Sequence, residues 1–346
     1  MKRPCFIPLP IVLLCWYFAL SPLGTKAGPQ FIRHLPNLTI NAFAQDSIGY
    51  VWIATGNGLC RYNGQIYYYY QNEPDNPSSL PDNRIHALHT APDGVLWIVS
   101  DSGISTYDSM HDCFRHVLCR KGLHGIAASG SRVLCYGPGG MVLLDTAEAS
   151  VIHQAWDARH CPDVLEADGN GDFWGARSGN PASMLRYGPN LAVCDSLVLS
   201  HKTAFYSSCH DRKGRIWFGM EQGIFVLDPV SGKPADDPAL LRFLRYVSDY
   251  CVSMLFSDRS GTVHIGTRGD NIHTFNTSNG DAEYNIVNRF QLSYTSDFRC
   301  GFSDMEGNVW IGTGDRGYSV RHAHRKNFTV RGRLAKLTQG KYINAI

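Results

Sequence analysis

The sequence has few of the features that mark several large classes of protein. Charged residues make up 18% of the 346 residues, and the basic ones neither cluster nor alternate with aromatic residues, so no contact with nucleic acid is expected. No segment shows a helical period of apolar residues, and neither H-E-x-x-H nor C-x-x-C occurs. We therefore expect no metal and no cofactor. The 44% of hydrophobic residues is enough for a large buried core.

The beginning of the chain differs from the rest. Lys2 and Arg3 precede an apolar segment from Ile7 to Leu20, which small residues follow up to Ala27. This pattern is typical of a secretory signal peptide, since the segment is too short for a membrane span of about 20 apolar residues. We expect residues 1–27 to be removed on export. The rest of the chain then has 29 basic residues against 30 acidic ones and is nearly neutral, because the leader holds three of the 32 basic residues and no acidic one.

Nine cysteines follow the leader, an odd number for a chain built on disulfides. Most of them lie in apolar runs, where cysteine behaves as a small buried hydrophobe. Cys113 and Cys119 are left as the candidates for a local disulfide.

An internal repeat dominates the chain from residue 30 onward. It places an aspartate, a glycine three residues later and a tryptophan three residues after that, as in Asp211-Arg-Lys-Gly214-Arg-Ile-Trp217. Four copies are complete, and three others keep part of the pattern; in one of these, His264 replaces the core tryptophan. The seven equivalent positions lie 37 to 47 residues apart: Trp52, Trp97, Leu134, Trp174, Trp217, His264 and Trp310.

This period predicts an all-β fold, a seven-bladed β-propeller with four-stranded antiparallel blades. In each blade an apolar first strand leads into a turn, where the aspartate accepts backbone N–H groups and the glycine adopts positive φ. The second strand carries the tryptophan, which fills the wedge between blades. Aromatic outer strands are predicted at residues 67–70, 114–116 and 243–246.

A second glycine pattern, Gly312-Thr-Gly314-Asp-Arg-Gly317, has the form G-x-G-x-x-G. The dinucleotide-binding version requires a helix after the glycines, whose N-terminus holds the pyrophosphate. These three glycines instead occupy turn positions that recur, with variation, in the other repeats. They predict a strand connection and no phosphate site.

The repeat D-x-x-G-x-[IV]-W-[IF]-[AG]-T-x-x-G-[LI], clearest at residues 46–59, 211–224 and 304–317, resembles the two-component regulator propeller repeat. That family forms the periplasmic sensor region of hybrid histidine kinases in glycan-degrading gut bacteria. The resemblance implies a periplasmic propeller that detects oligosaccharides. It also implies a second propeller, a downstream kinase region and a homodimer in the full-length protein. The chain contains no kinase sequence, so no enzymatic activity is expected of it.

Both ends of the chain bear on how the ring is organised. Phe328-Thr-Val-Arg331 resembles Phe31-Ile-Arg-His34, and residues 342–346 resemble the opening of the first blade. We expect the strand near Phe31 to pair with the seventh blade and close the ring, which removes an open sheet edge. The expected domains are a propeller at 28–327 and, at 328–346, the truncated start of a further blade or second propeller.

The predicted ligand site lies where the turns between second and third strands converge near the axis, since loops on a rigid scaffold carry function. Arginines there suit anionic groups, whereas carboxylates and asparagine suit sugar hydroxyls. The candidates are Asn57, Asp101, Arg177, Glu221, Arg268, Asp270, Asp315 and Arg316. Trp156, outside the repeated tryptophan positions, is an alternative ring for stacking on a sugar.

Two other functions stay open at the level of sequence. A propeller glycoside hydrolase or lyase would use paired carboxylates, which hydrolyse glycosides when they stand about 5 to 9 Å apart. In sialidase propellers, however, the aspartate lies five residues before the tryptophan, whereas here it lies six. A propeller scaffold for protein–protein interaction would expose a large apolar patch.

Overall fold

The computed structural model describes residues 33–34, 38–156, 161–269, 271–286 and 297–323. The predictions for the signal peptide, for Asp270 and for residues 328–346 lie outside the described residues. The described strands form seven four-stranded antiparallel sheets, numbered here as blades 1 to 7 in chain order. The seven-bladed propeller is confirmed.

Strands are numbered β1 to β28 along the chain, and each blade is built from the inside outward. The first strands contact one another around the axis. They are β2 (Ile40–Gln45), β6 (Ile85–Thr90), β10 (Gly125–Ser129), β14 (Val164–Ala167), β18 (Phe205–His210), β22 (Val252–Ser257) and β26 (Phe298–Ser303). The second strands are β3 (Val51–Thr55), β7 (Leu96–Ser100), β11 (Arg132–Gly137), β15 (Phe173–Arg177), β19 (Ile216–Met220), β23 (Thr262–Thr267) and β27 (Val309–Thr313).

The third and fourth strands complete each blade toward its outer edge. The third strands are β4 (Gly58–Tyr62), β8 (Gly103–Asp108), β12 (Gly140–Asp145), β16 (Ser183–Tyr187), β20 (Ile224–Asp228), β24 (Ile272–Asn276) and β28 (Tyr318–Arg321). The fourth strands of blades 1 to 6 are β5 (Tyr67–Tyr70), β9 (Cys113–Cys119), β13 (Ser150–Ala155), β17 (Val193–Val198), β21 (Lys233–Pro234) and β25 (Ala282–Glu283).

Blade 7 takes its fourth strand from the beginning of the chain. The strand β1 (Arg33–His34) pairs antiparallel with β28, with Arg33 opposite Ser319 and His34 opposite Tyr318. The ring is therefore closed by the N-terminal strand, as the sequence predicts. Closure pairs the outer edge of blade 7, which would otherwise be an unprotected template for another strand.

The core consists of seven clusters of buried side chains, one between each pair of neighbouring blades. The repeated tryptophans supply the largest members of five of these clusters. Trp52 of blade 1, for example, is fully buried and packs against Tyr107 of blade 2, with 4.6 Å between ring centroids. Burial of aromatic surface at every blade boundary thus holds the ring together.

The outer strand predicted at residues 243–246 is wrong. These residues lie in the helix α1 (Pro238–Tyr246), and the outer strand of blade 5 is β21 instead. Asp237 caps the helix by accepting from the backbone N–H groups of Ala239 and Leu240, and Pro238 suits the first helical turn. Leu240 and Phe243, three residues apart, are buried in the cluster between blades 5 and 6. Among the described residues, no helix combines the length and the apolarity that crossing a membrane requires.

The candidate disulfide between Cys113 and Cys119 does not form. The two residues lie at opposite ends of β9, about 20 Å apart at the rise of an extended strand, and both are free. All nine cysteines in the described part of the chain are free thiols. Several are buried as expected, and burial raises the pKa of the Cys60 thiol to about 12.

Candidate functional site

An open channel runs along the axis of the ring, inside the first strands. Its cavity has a volume of about 720 Å³, and residues from the first strands of all seven blades line it. This size falls within the range of small-molecule sites, about 300 to 1,000 Å³. The channel is therefore the best-formed candidate site among the described residues.

β-Bulges determine which side chains enter the mouth of this channel. In five blades the pairing of first and second strands skips one residue near the start of the first strand, and a bulge re-aims the side chain of the extra residue. The five residues are Asn41, His86, Tyr206, Ser253 and Arg299. All but Ser253 line the channel. Since every first strand begins at the same end of the ring, these polar and aromatic groups gather at one mouth.

The bulged side chains are held by contacts with neighbouring blades and turns. The Nδ2 group of Asn41 donates to the carbonyl of Ile85 in the next blade, at 2.7 Å. The guanidinium of Arg268 lies 4.5 Å from the ring centroid of Tyr206, a cation–π contact. The mouth is thus a set of positioned hydrogen-bonding and aromatic groups.

A cluster of two histidines and an aspartate lies on one side of the mouth. Nε2 of His86 and Oδ1 of Asp101 form a hydrogen bond of 2.5 Å, and the rings of His86 and His124 lie 4.4 Å apart between centroids. The hydrogen bond to His86, together with the charge of Arg84, holds the pKa of Asp101 below its ordinary value. Burial, followed by repulsion from His86, lowers the pKa of His124.

The structure brings three of the predicted site residues to the channel. Arg177 lines it directly, Asp101 reaches it through His86, and Arg268 reaches it through Tyr206. Four others lie on the turns of the same face but do not line the cavity: Asn57, Glu221, Asp315 and Arg316. No ligand tests these positions, and their role in binding stays a prediction.

Trp156 does not join this group. It follows the outer strand β13 and is 38% exposed, and the guanidinium of Arg120 lies 4.2 Å from its ring centroid. Its indole therefore belongs to the outer side of blade 3.

Sequence reasoning missed the bulged residues, although they leave a signal. In blades 1 and 2 the first strands begin with one apolar residue, one polar residue and two further apolar residues, as in Ile40-Asn41-Ala-Phe43 and Ile85-His86-Ala-Leu88. A polar residue that breaks an otherwise apolar strand at the same repeat position is a sign of a bulge aimed into the channel.

The glycine-rich segment near residue 314 has the predicted structure. Gly312 lies on β27, Gly317 has a φ of +71° in the following turn, and the strand β28 begins at Tyr318. In the described part of the chain a strand follows these glycines, which therefore do not lead into the helix N-terminus that a phosphate site requires.

The sequence matches a known family in two segments. The family described as "Two component regulator propeller" matches residues 34–57 and 79–102. These two segments carry the sequence pattern of two component regulator propeller repeats. The matched segments cover the first two strands of blades 1 and 2, together with the turns that follow them. No curated protein matches the chain.

Solved structures similar to this chain come from several classes of protein. One is the extracellular domain of a hybrid two component system from B. thetaiotaomicron: it is 18% identical, the match covers 86% of this chain and 40% of that one, and the TM-score is 0.66. A catalytically inactive virginiamycin B lyase from Staphylococcus aureus is 12% identical over 84% of this chain and 98% of the lyase, with a TM-score of 0.63. The WD40 propeller domain of Doa1 is 9% identical, the match covers 86% of this chain and 97% of that domain, and the TM-score is 0.65.

At these identities the structural likeness shows the fold alone. This chain spans 40% of the length of the B. thetaiotaomicron domain, so it corresponds in size to a part of that extracellular region.

Proposed function

We propose that this propeller is the ligand-sensing part of a hybrid two-component receptor and that it binds a glycan-derived oligosaccharide at the mouth of its channel. The observation that carries the proposal is the mouth itself, built by bulged residues of several blades in a chain with regulator propeller repeats. Binding takes place in the periplasm, and the signal passes to a kinase region of the full-length protein. The chain acts without catalysis.

The chemistry of the mouth suits a neutral ligand rich in hydroxyl groups. A sugar hydroxyl both donates and accepts, and the mouth offers donors on Asn41, Arg177 and Arg299. The half-buried ring of Tyr206 provides an apolar surface for a sugar face. The channel lining includes both positive side chains, Arg177 and Arg299, and negative ones, Asp163 and Glu166, which favours a polar, uncharged molecule over a strongly charged one.

The remaining partners follow from the family resemblance. A second propeller and a downstream kinase region would complete the receptor, and a homodimer would transmit the change on binding. The B. thetaiotaomicron extracellular domain, more than twice the length of the matched segment, is consistent with a second propeller.

A glycan array, followed by calorimetry on the purified chain, tests the proposal. We expect one class of oligosaccharide to bind, with affinity reduced at least about tenfold in Tyr206→Ala and Arg299→Ala. Tyr69→Ala is the matched control, because Tyr69 is an exposed aromatic residue on the outer strand β5. Unchanged affinity in both channel variants, or a loss in Trp156→Ala, would move the site away from the channel.

The same experiment separates the two alternative functions. Turnover of a bound sugar would favour a hydrolase or lyase. Of the channel carboxylates, Glu166 accepts from the hydroxyl of Ser208 and Asp163 from the backbone N–H of Ser178, so both already serve structural hydrogen bonds. Absence of any glycan binding would favour a scaffold for protein–protein interaction.

A further inference from the structure

The cluster of His86, Asp101 and His124 has a geometry that hydrogen bonding alone does not require. One donor atom from each of the three side chains lies within 4.8 Å of the other two. We propose that these residues form a Zn²⁺ site at the mouth of the channel.

A tetrahedral zinc ion fits if the short pair opens and the longest separation, at most 4.8 Å, closes by up to about 1.4 Å. Bonds of about 2.0 to 2.2 Å in tetrahedral geometry place ligand atoms about 3.3 to 3.5 Å from one another. The pair His86 and Asp101, now 2.5 Å apart, has to open by about 1 Å for an ion to enter between them. Rotation of the partly exposed carboxylate of Asp101 supplies this movement without a change in the strands.

The three ligands come from separate parts of the fold. His86 is the bulged residue of β6, Asp101 lies in the turn between β7 and β8, and His124 directly precedes β10 in the next blade. The site therefore joins blades 2 and 3. Because its members are 15 and 23 residues apart, no compact metal-binding motif appears in the sequence, and the expectation of no metal rested on that absence.

The donor set selects the type of ion. Two imidazole nitrogens and one carboxylate oxygen suit zinc, whereas magnesium and calcium prefer oxygen ligands alone. The guanidinium of Arg84 lies 3.9 Å from Oδ2 of Asp101, which directs Oδ1 toward the histidines. Arg84 is itself well exposed, so solvent screens its repulsion of a bound cation.

Three protein ligands leave a fourth position open, as in catalytic rather than structural zinc sites. His86 lines the channel and His124 is exposed, so this position faces the channel and is filled by water. The inference does not depend on the proposed sugar ligand.

Calorimetric titration of the full chain with ZnCl₂, after treatment with a chelator, tests the site. We expect one ion per chain and affinity reduced about 100-fold or more in His86→Ala and in His124→Ala. The matched control is His153→Ala, because His153 is an exposed histidine on the outer strand β13, and its affinity should equal that of the unaltered chain. Absence of binding, or equal binding by all three variants, would overturn the proposal.

Two further measurements distinguish this site from thiol coordination and from loss of folding. Exposed thiols, above all Cys119 and Cys194, also bind zinc, so Co²⁺ is used as a spectroscopic substitute. We expect visible bands of nitrogen and oxygen coordination; a thiolate charge-transfer band in the near ultraviolet would overturn the proposal. Circular dichroism checks folding, and His124→Ala, at an exposed position, decides the outcome if His86→Ala does not fold.

Discussion

Blades 5 and 2 share the same turn and the same buried tryptophan, but only blade 5 pairs the indole. In blade 5 the carboxylate of Asp211 accepts the Nε1–H of Trp217 at 2.8 Å. In blade 2 the equivalent residue is Ala91, and the Nε1 of Trp97 has no partner among the described residues. The backbone hydrogen bonds of the two turns are nevertheless alike, with Gly214 bonded to Asp211 and Gly94 bonded to Ala91. The backbone turn therefore forms without the aspartate, whose carboxylate in blade 5 adds hydrogen bonds from the backbone N–H groups of Lys213 and Arg215 and from the indole.

Blades 6 and 3 show how the aspartate–tryptophan pair can be replaced. In blade 6, His264 donates from Nε2 to Asp258 at 2.8 Å, and so replaces the indole as a hydrogen-bond donor. Blade 3 has lost both partners, because Leu134 replaces the tryptophan and its shorter turn has no aspartate, so no indole is left unpaired there. Replacing both partners by apolar groups is nearly neutral, whereas losing one is costly. Blade 2 has lost only the aspartate and keeps the tryptophan.

Blade 4 shows that the sequence pattern alone does not ensure the bond. Its Asp168 and Trp174 match the repeat fully, yet neither Oδ2 of Asp168 nor Nε1 of Trp174 has a hydrogen-bond partner in the described chain. Arg186 on the neighbouring strand lies 3.7 Å from Oδ2 of Asp168 and 2.9 Å from Asp172. A competing cation has replaced the indole as the partner of this carboxylate.

The largest expected effect is the loss of Asp211 in blade 5. This carboxylate is fully buried and pairs with Nε of Arg215 at 2.7 Å as well as with the indole. Because Asp211→Ala leaves a buried guanidinium with a weaker partner, we expect the free energy of unfolding to fall by about 3 to 5 kcal/mol. Denaturant unfolding measures this change. Asp75→Ala, at an exposed position, should have little effect, and equal losses in the two variants would contradict the role of Asp211.

A matched pair of tryptophan substitutions isolates the indole hydrogen bond. Trp217→Phe and Trp97→Phe remove the same atoms from equally buried positions. Only the first also removes a donor from a carboxylate oxygen, Oδ2 of Asp211, which keeps the hydrogen bond from Nε of Arg215. We expect Trp217→Phe to cost about 1 to 2 kcal/mol more than Trp97→Phe in the free energy of unfolding. Equal costs would show that the aspartate–indole bond adds nothing to stability.

The missing aspartate of blade 2 can be restored. Ala91→Asp places a carboxylate at the position where the complete repeats have one. There it can accept a hydrogen bond from the unpaired Nε1 of Trp97. We expect the free energy of unfolding to rise by about 1 kcal/mol, the net value of one intramolecular hydrogen bond. The control is Ala127→Asp in blade 3, because buried Ala127 lies opposite Leu134 instead of a donor, and this variant should be destabilised. A loss of stability in both variants would contradict the comparison.

Features that recur in every blade could be predicted from the sequence, whereas features specific to one or two blades could not. Strand number, blade number and ring closure follow from local patterns that recur, such as the glycine turns and the tryptophan spacing. The helix α1 was missed because Phe243 and Tyr246 were assigned to an outer strand, although Asp237-Pro238 marks a helix start. The cluster of His86, Asp101 and His124 depends on the juxtaposition of two blades, which no single repeat encodes.

The smallest expected effect concerns pH and compares blade 6 with the tryptophan blades. Burial lowers the pKa of His264 below its ordinary value of 6.5, although Asp258 opposes this shift. The unfolded chain therefore takes up a proton on His264 below pH 6.5 while the folded chain resists it, so stability falls as pH falls through this range. In His264→Trp the indole keeps the donor to Asp258 but does not titrate. Trp310 lies opposite Phe302 in blade 7 just as His264 lies opposite Phe256, so the larger ring has a precedent in this fold.

We expect the free energy of unfolding of His264→Trp to depend less steeply on pH between 6.5 and 5 than that of the unaltered chain. The free energy of unfolding of this variant still falls as pH falls, because two other buried histidines also resist protonation in the folded state. Burial lowers the pKa of His89, and it lowers the pKa of His273 to about 4. Below pH 4 carboxylates add to the pH dependence of stability. Burial raises the pKa of Asp258, but the hydrogen bonds from His264 and Ser260 outweigh it and bring the pKa to about 2, so protonation of Asp258 weakens the folded state there. His153→Gln, at an exposed position, is the control and should keep the pH dependence of the unaltered chain. If the free energy of unfolding of His264→Trp depends on pH as steeply as that of the control, protonation of His264 does not contribute to the pH dependence between 6.5 and 5.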